Sequence, residues 1–266
     1  MATEWLYYFN EWLLGLVILG LLLLATEGGF RLGRRDLLIA DDRLRGQIGT
    51  LQAAILGLLG LLLGFSFSMA VNRYELRKEL VVTEANAIGT ASLRAQLLAP
   101  PVRAEAERLW KEYVTLRMEM VRLAPRESVR FEELRGRCEA IHADLWRQAT
   151  AAARADPRSV PAGLYLAALN VVIDTHASRI TAYRNHVPEA VFLLLLGVAG
   201  LAMGCVGYGA GQTSRRLAMV TMSTCALFAV VIVTIMDLDR PQRGMIQVSQ
   251  EPMIRLQQQL NEGAAP

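Results

Sequence analysis

Four stretches of the chain are apolar almost without interruption: Trp12–Phe30, Ile48–Val71, Val187–Ala210 and Leu217–Met236. Each is near the roughly 20 residues that a helix needs to cross about 30 Å of hydrocarbon. The second and fourth carry no charged residue, the third only Glu189 and the first only Glu27. The pattern predicts four membrane-spanning helices. Residues 72–186 read differently. They show no alternation of period two and no Gly-rich loop, but apolar residues recur in steps of three and four. Val102, Ala106, Leu109, Tyr113, Leu116, Met120 and Leu123 form one such seam, and Leu134, Cys138, Ile141 and Leu145 form another. A third is Leu166, Leu169, Ile173, Ala177 and Ile180. Seams of this kind pack helix on helix.

Proline-containing breaks at 99–101, 124–128 and 155–161 separate these helices, because proline resists the helix interior. No break follows Val71, so the second span is expected to continue as one long helix to about Leu98. The fold class is therefore all-α, a four-helix transmembrane protein with a soluble helical insert. Four parts follow: a hairpin over 1–71 (spans 12–30 and 48–71), the insert over 72–186, a hairpin over 187–236 (spans 187–210 and 217–236), and a turn and tail over 237–266. In the tail, Met253–Leu260 reads as one short amphipathic helix and the last four residues as loose. The first span is expected to be retained rather than cleaved as a secretion signal, since residues 1–11 lack the basic start of one.

Composition agrees with a membrane protein: 53% of the 266 residues are hydrophobic. Charge gives less. Seven basic residues fall on one side (Arg31, Arg34, Arg35, Arg43, Arg45, Arg215 and Arg216) and seven on the other (Arg73, Arg77, Lys78, Arg179, Arg184, Arg240 and Arg243). Their density in the two short loops favours those loops as cytoplasmic, with both termini and the insert on the far side.

Residues that carry chemistry are few. Cys138, Cys205 and Cys225 form no Cys-x-x-Cys pair and read as small buried hydrophobes. His142, His176 and His186 lack metal-ligand spacing. Asp174, Ser178 and Arg179 are placed to form a local polar network. No nucleotide-binding loop, nucleophile elbow or zinc-protease motif is present. An enzyme has no support in the residues, and no cofactor, metal or nucleic-acid partner is expected.

The second span carries the most specific signal. It reads Leu-Gly-Leu-Leu-Gly-Leu-Leu-Leu-Gly-Phe-Ser-Phe-Ser-Met-Ala-Val-Asn-Arg, with Gly64-Phe65 late in the span and Arg73 eight residues after the Phe. After the fourth span comes Asp237-Leu238-Asp239-Arg240-Pro241-Gln242-Arg243-Gly244, an acidic turn with Pro and Gly. These stretches, and the order of two spans, insert and two spans, resemble the bestrophins, pentameric ion channels, and their bacterial bestrophin-like relatives. The matched positions are Gly64, Arg73, Asp239, Pro241 and Gly244.

The resemblance implies a homo-oligomer, first of all a pentamer, in the bilayer of a cell membrane, a bacterial inner membrane in particular. Its ligands would be monovalent ions passing a pore lined by the second span. It also implies an apolar neck at Gly57, Leu61 and Phe65, with Gly57 departing from the bulky residue expected there. Such rings, one face of a helix at i, i+4 and i+8, gate by dewetting. The same face continues through Ser68, Asn72, Glu75, Glu79 and Asn86, which predicts a polar wall with acidic rings and a cation preference. Glu75 has Lys78 at i+3 to neutralise it, and Glu79 has no such partner after it. Lipid contact or ordinary helix packing at Leu61 and Phe65, with Gly57, Gly60 and Gly64 serving close helix approach, is the competing reading. The calcium clasp of animal bestrophins is not expected, since residues 245–260 hold only Glu251 as an acid. The family layout puts termini and insert in the cytoplasm, opposite to the charge-density argument. A non-conducting scaffold whose insert binds a partner is the alternative function.

Overall fold

The computed structural model describes residues 11–36, 42–123, 129–213, 218–240 and 244–263. Among these residues eight helices follow one another: α1 Glu11–Arg35, α2 Asp42–Ala95, α3 Pro100–Val121, α4 Val129–Ala155, α5 Val160–Arg184, α6 Glu189–Gln212, α7 Ala218–Asp239 and α8 Glu251–Glu262. No strand occurs among the described residues. The breaks at 99–101 and 155–161 end and start helices as their prolines predict. The break at 124–128 and Pro241 lie outside the described residues. Pro100 and Pro101 open α3, where a missing N–H costs nothing. Ser159 caps α5 by accepting the Ala162 N–H at 3.4 Å. Gly263 closes α8 at φ +68°.

The chain divides into two compact units, residues Met1–Asn72 with His186–Arg240 and residues Arg73–Asn185 with Pro241–Pro266. Four helices are long and apolar enough to cross a membrane, with the apolar stretches inside Trp12–Arg35, Arg45–Ala95, Val160–Gln212 and Ala218–Asp239.

Within the first unit, α1 packs on α6 through glycines. A Cβ at Gly29 would strike Gly204 O, one at Gly33 would strike Tyr208 O, and those at Gly207 and Gly211 would strike Thr26 O and Phe30 O. Backbones approach this closely only where side chains are absent, which is how helices associate in lipid. Gly57, Gly60 and Gly64 do the opposite, since a Cβ there meets nothing within 4 Å. Their expected use in close helix approach is not realised within one protomer.

Within the second unit, the seams of α3 and α4 are buried as their spacing predicts. Ala106, Leu109, Tyr113, Leu116 and Met120 face Leu134, Cys138, Ile141 and Leu145 in one core. Met253, Leu256 and Leu260 of α8 join it, so the tail helix is amphipathic as expected. The seam of α5 is displaced. Its buried face is Tyr165, Leu169, Val172, His176, Arg179 and Tyr183, whereas Ala177 is exposed and Leu166, Ile173 and Ile180 are half-buried. The shift is about one residue, roughly 100° of helix. It arises because a seam counted from apolar residues passes over His176 and Arg179, which this core buries.

Candidate functional site

The long helix α2 has one buried and one exposed stripe. In the first unit Leu59, Leu63, Ser66 and Ala70 are buried, and in the second Arg77, Val81, Glu84, Ile88, Ala91 and Ala95 are. These positions repeat every three to four residues, one face of a helix. The residues expected to form the neck and pore lining all fall on the other face. Gly57, Leu61, Phe65, Ser68 and Asn72 of the first unit are exposed, and so are Glu75, Glu79 and Asn86 of the second. Leu61 is 54% and Phe65 66% exposed. Glu75 accepts from Lys78 Nζ at 3.3 Å, as its spacing predicts. Glu79 has no ion-pair or hydrogen-bond partner among the described residues.

The buried stripe of α2 carries a charge that sequence reasoning missed. Glu84 is fully buried, and Arg117 grips it in a fork, Nε to Oε1 at 2.8 Å and Nη2 to Oε2 at 3.0 Å. Arg179 Nη1 donates to the other side of the same carboxylate. Tyr113 Oη donates to Glu84 Oε1 at 2.8 Å. That uses the only hydroxyl proton, so the 3.1 Å contact between Tyr113 Oη and His176 Nδ1 has the imidazole N–H donating to the tyrosine oxygen. Arg179 also donates to Tyr183 Oη at 2.8 Å and to Gln250 Oε1 at 3.2 Å. His142 stands against His176, with ring centroids 5.0 Å apart. The cluster thus joins α2, α3, α4, α5 and the tail inside one core. The expected Asp174–Ser178–Arg179 network is corrected by it: Ser178 bonds only to the Asp174 backbone carbonyl, at 2.9 Å, and Arg179 turns to Glu84.

Burial alone would raise the Glu84 carboxyl, but the guanidiniums of Arg117 and Arg179 outweigh it and hold the carboxyl well below the usual carboxylate range. Burial pushes His142 down to about 4. Burial, with Arg117 beside it, pushes His176 down to about 3. Both imidazoles are therefore neutral near pH 7. Burial likewise pushes the Cys138 thiol up to about 12. A signal for the cluster existed in the sequence. Glu84 lies in phase with Val81, Ile88 and Ala91, and Arg117 in phase with Tyr113 and Met120.

The turn after α7 is a second buried polar corner. Asp239 is fully buried and accepts the Val187 N–H at 2.8 Å, while His186 Nδ1 lies 3.5 Å from its carboxylate. Asp239 thereby fixes the chain just before α6, within the first unit. Gly244 has φ +135°, a backbone region that favours glycine. Gly64 is exposed and Arg73 half-buried. Glu251 of the tail pairs with Arg255 on its own helix.

The sequence model of the Bestrophin-like domain matches residues 15–253 of the chain. The chain belongs to the bestrophin-like family. It is a membrane protein of that family, and the solved structures similar to it carry the same fold. One is a bacterial Bestrophin homolog from Klebsiella pneumoniae solved by Zn-SAD phasing, with TM-score 0.66 and 15% identity over 94% of this chain and 100% of that one. A single-residue variant of a bacterial Bestrophin homolog from Klebsiella pneumoniae gives TM-score 0.65 and 14% identity over 92% and 98%. A membrane protein with a proline-to-alanine change gives 0.66 and 14% over 92% and 97%. No curated protein matches this bestrophin-like sequence.

Proposed function

We propose that the chain is the subunit of an oligomeric ion channel, a ring of five around α2, with the exposed face of that helix lining an axial pore. One observation carries the reading. Among the described residues, the exposed face of α2 is the face of Gly57, Leu61, Phe65, Ser68, Asn72, Glu75, Glu79 and Asn86. One four-span subunit cannot enclose a pore with a single helix, so that face needs copies of itself. Leu61 and Phe65 form the apolar neck, which conducts when wetted. Gly57 adds no side chain to it. Below the neck, rings of Glu75 and Glu79 concentrate cations by Coulomb attraction. Lys78 tempers Glu75, so Glu79 carries most of the selectivity for monovalent cations.

Mass measurement in mild detergent is expected to give a ring, with a clean monomer refuting the neck. In a conducting preparation, Glu79→Gln moves the reversal potential toward the non-selective value, and Glu79→Lys moves it further the same way. Unchanged selectivity in both variants removes the electrostatic filter.

The alternative, a non-conducting scaffold, draws on a different feature. Val160, Leu164 and Val171 form an exposed apolar stripe on α5 that suits a protein partner. A ring that passes no ion in liposomes favours it.

A further inference from the structure

The cluster around Glu84 does not balance its charge. Arg117 and Arg179 bring two guanidiniums to one carboxylate. Their other contacts are uncharged: Met120 Sδ at 3.5 Å for Arg117, and Tyr183 Oη and Gln250 Oε1 for Arg179. No second carboxylate of this unit is buried among the described residues. The acids on the elements packed around the cluster are engaged elsewhere or exposed. Glu112 and Glu119 of α3, Glu139 of α4 and Glu251 of α8 each pair with an arginine outside it, and Asp174 of α5 is exposed. Arg77, on the same stripe of α2, lies against the Ala182 and Asn185 carbonyls instead. His142 and His176 add no charge near pH 7, because burial keeps both imidazoles neutral. The cluster therefore holds one positive charge in excess, in a core where salt and water screen it little.

Glu84 stands on α2 itself, between Glu79 and Asn86 of the exposed face. Asn86 is two residues on, about 200° around the helix. The cluster thus lies behind the exposed face, roughly one helix diameter, or 10–12 Å, away from it.

We infer, on the reading of α2 as the pore wall, that the excess guanidinium charge behind Glu84 limits how strongly the pathway prefers cations. Arg179 then sets selectivity without touching an ion. A ring of copies places one such charge behind each wall helix. Its field opposes that of the Glu79 ring, favouring anions and disfavouring cations between Glu79 and Asn86. Arg179 is the charge to remove, because the two bonds of the Arg117 fork still hold Glu84 without it.

The test reconstitutes the full-length protein in a planar bilayer and reads reversal potentials under a potassium chloride gradient. Arg179→Gln leaves one guanidinium on one carboxylate. It is expected to shift the potential toward the potassium equilibrium value, opposite in sign to the shift of Glu79→Gln. Gln250→Glu supplies the missing carboxylate beside Arg179, 3.2 Å from its Nη2 in the present side chain. It is expected to shift the potential the same way, and it stands in where Arg179→Gln fails to fold. Arg179→Lys keeps the charge and the wild-type potential. Wild-type potentials in Arg179→Gln and Gln250→Glu, with Glu79→Gln still shifted, overturn the proposal and leave the pore wall standing. Equal shifts in Arg179→Gln and Arg179→Lys overturn it too, by assigning the effect to packing rather than charge. A wild-type ring that passes no current removes both the pore wall and the proposal.

Discussion

At the scale of residues, the insert depends on one carboxylate. Glu84 neutralises one of two buried guanidiniums and orients both, so Glu84→Gln leaves two buried charges with no counter-ion. Breaking a buried pair from one side costs about 3–5 kcal/mol, and a drop of that order in thermal stability is expected in detergent. The same cluster sets an acid limit. His142 and His176 are held down to about 4 and about 3, and Glu84 is held below its ordinary value. In each case the unfolded chain binds protons at a higher pH than the folded one. Stability is thus complete above about pH 6.5, falls as the unfolded histidines and then the unfolded Glu84 take up protons, and is lost toward pH 3. Thermal melts from pH 7.5 to 4 check this. A flat profile over that range removes the neutral buried histidines from the account. Cys138, fully buried with its thiol pushed up to about 12, is expected to resist maleimide until the insert unfolds.

At the scale of elements, the glycines separate two kinds of helix surface. Gly207→Ala drives a Cβ into Thr26 O, and overpacking of this kind costs about 1–3 kcal/mol or more. Gly60→Ala adds a methyl to open space and is expected to leave thermal stability within about 0.5 kcal/mol. Equal losses in the two variants contradict the assignment of α1 and α6 as the glycine-packed pair. The helices themselves were legible in the sequence because their signals are local and repeated. Uncharged runs set the spans, prolines set the breaks, and the three-four steps of Ala106, Leu109, Tyr113 and Leu116 set a buried face. What stayed hidden has no local signal. Asp239 reaches Val187 across 52 residues, and Arg179 reaches Glu84 across 95. Gly29 and Gly207 look like Gly57 and Gly64 until their neighbours are known. The buried face of α5 lies about one residue away from its apolar seam because the core there takes in the polar His176 and Arg179. Gly57, Leu61, Phe65, Ser68, Asn72, Glu75, Glu79 and Asn86, in contrast, follow one another at the helical period and are all exposed.

At the scale of the whole molecule, the central claim is that the exposed face of α2 lines an ion pathway shared by copies of the chain. Leu61 and Phe65 stand on the side of α2 away from the Leu59–Leu63–Ser66–Ala70 stripe that its own unit buries. A channel and a scaffold both explain exposed apolar residues, but only a channel makes their accessibility change a current. The most direct measurement places single cysteines along α2, in a chain with Cys205 replaced by serine, and applies a water-soluble thiol reagent during conduction in a planar bilayer. Cysteines at Phe65, Ser68 and Asn72 are predicted to block the current on modification, and those at Leu63, Ser66 and Ala70 to leave it unchanged. Block at the second set, or at both sets alike, contradicts the account.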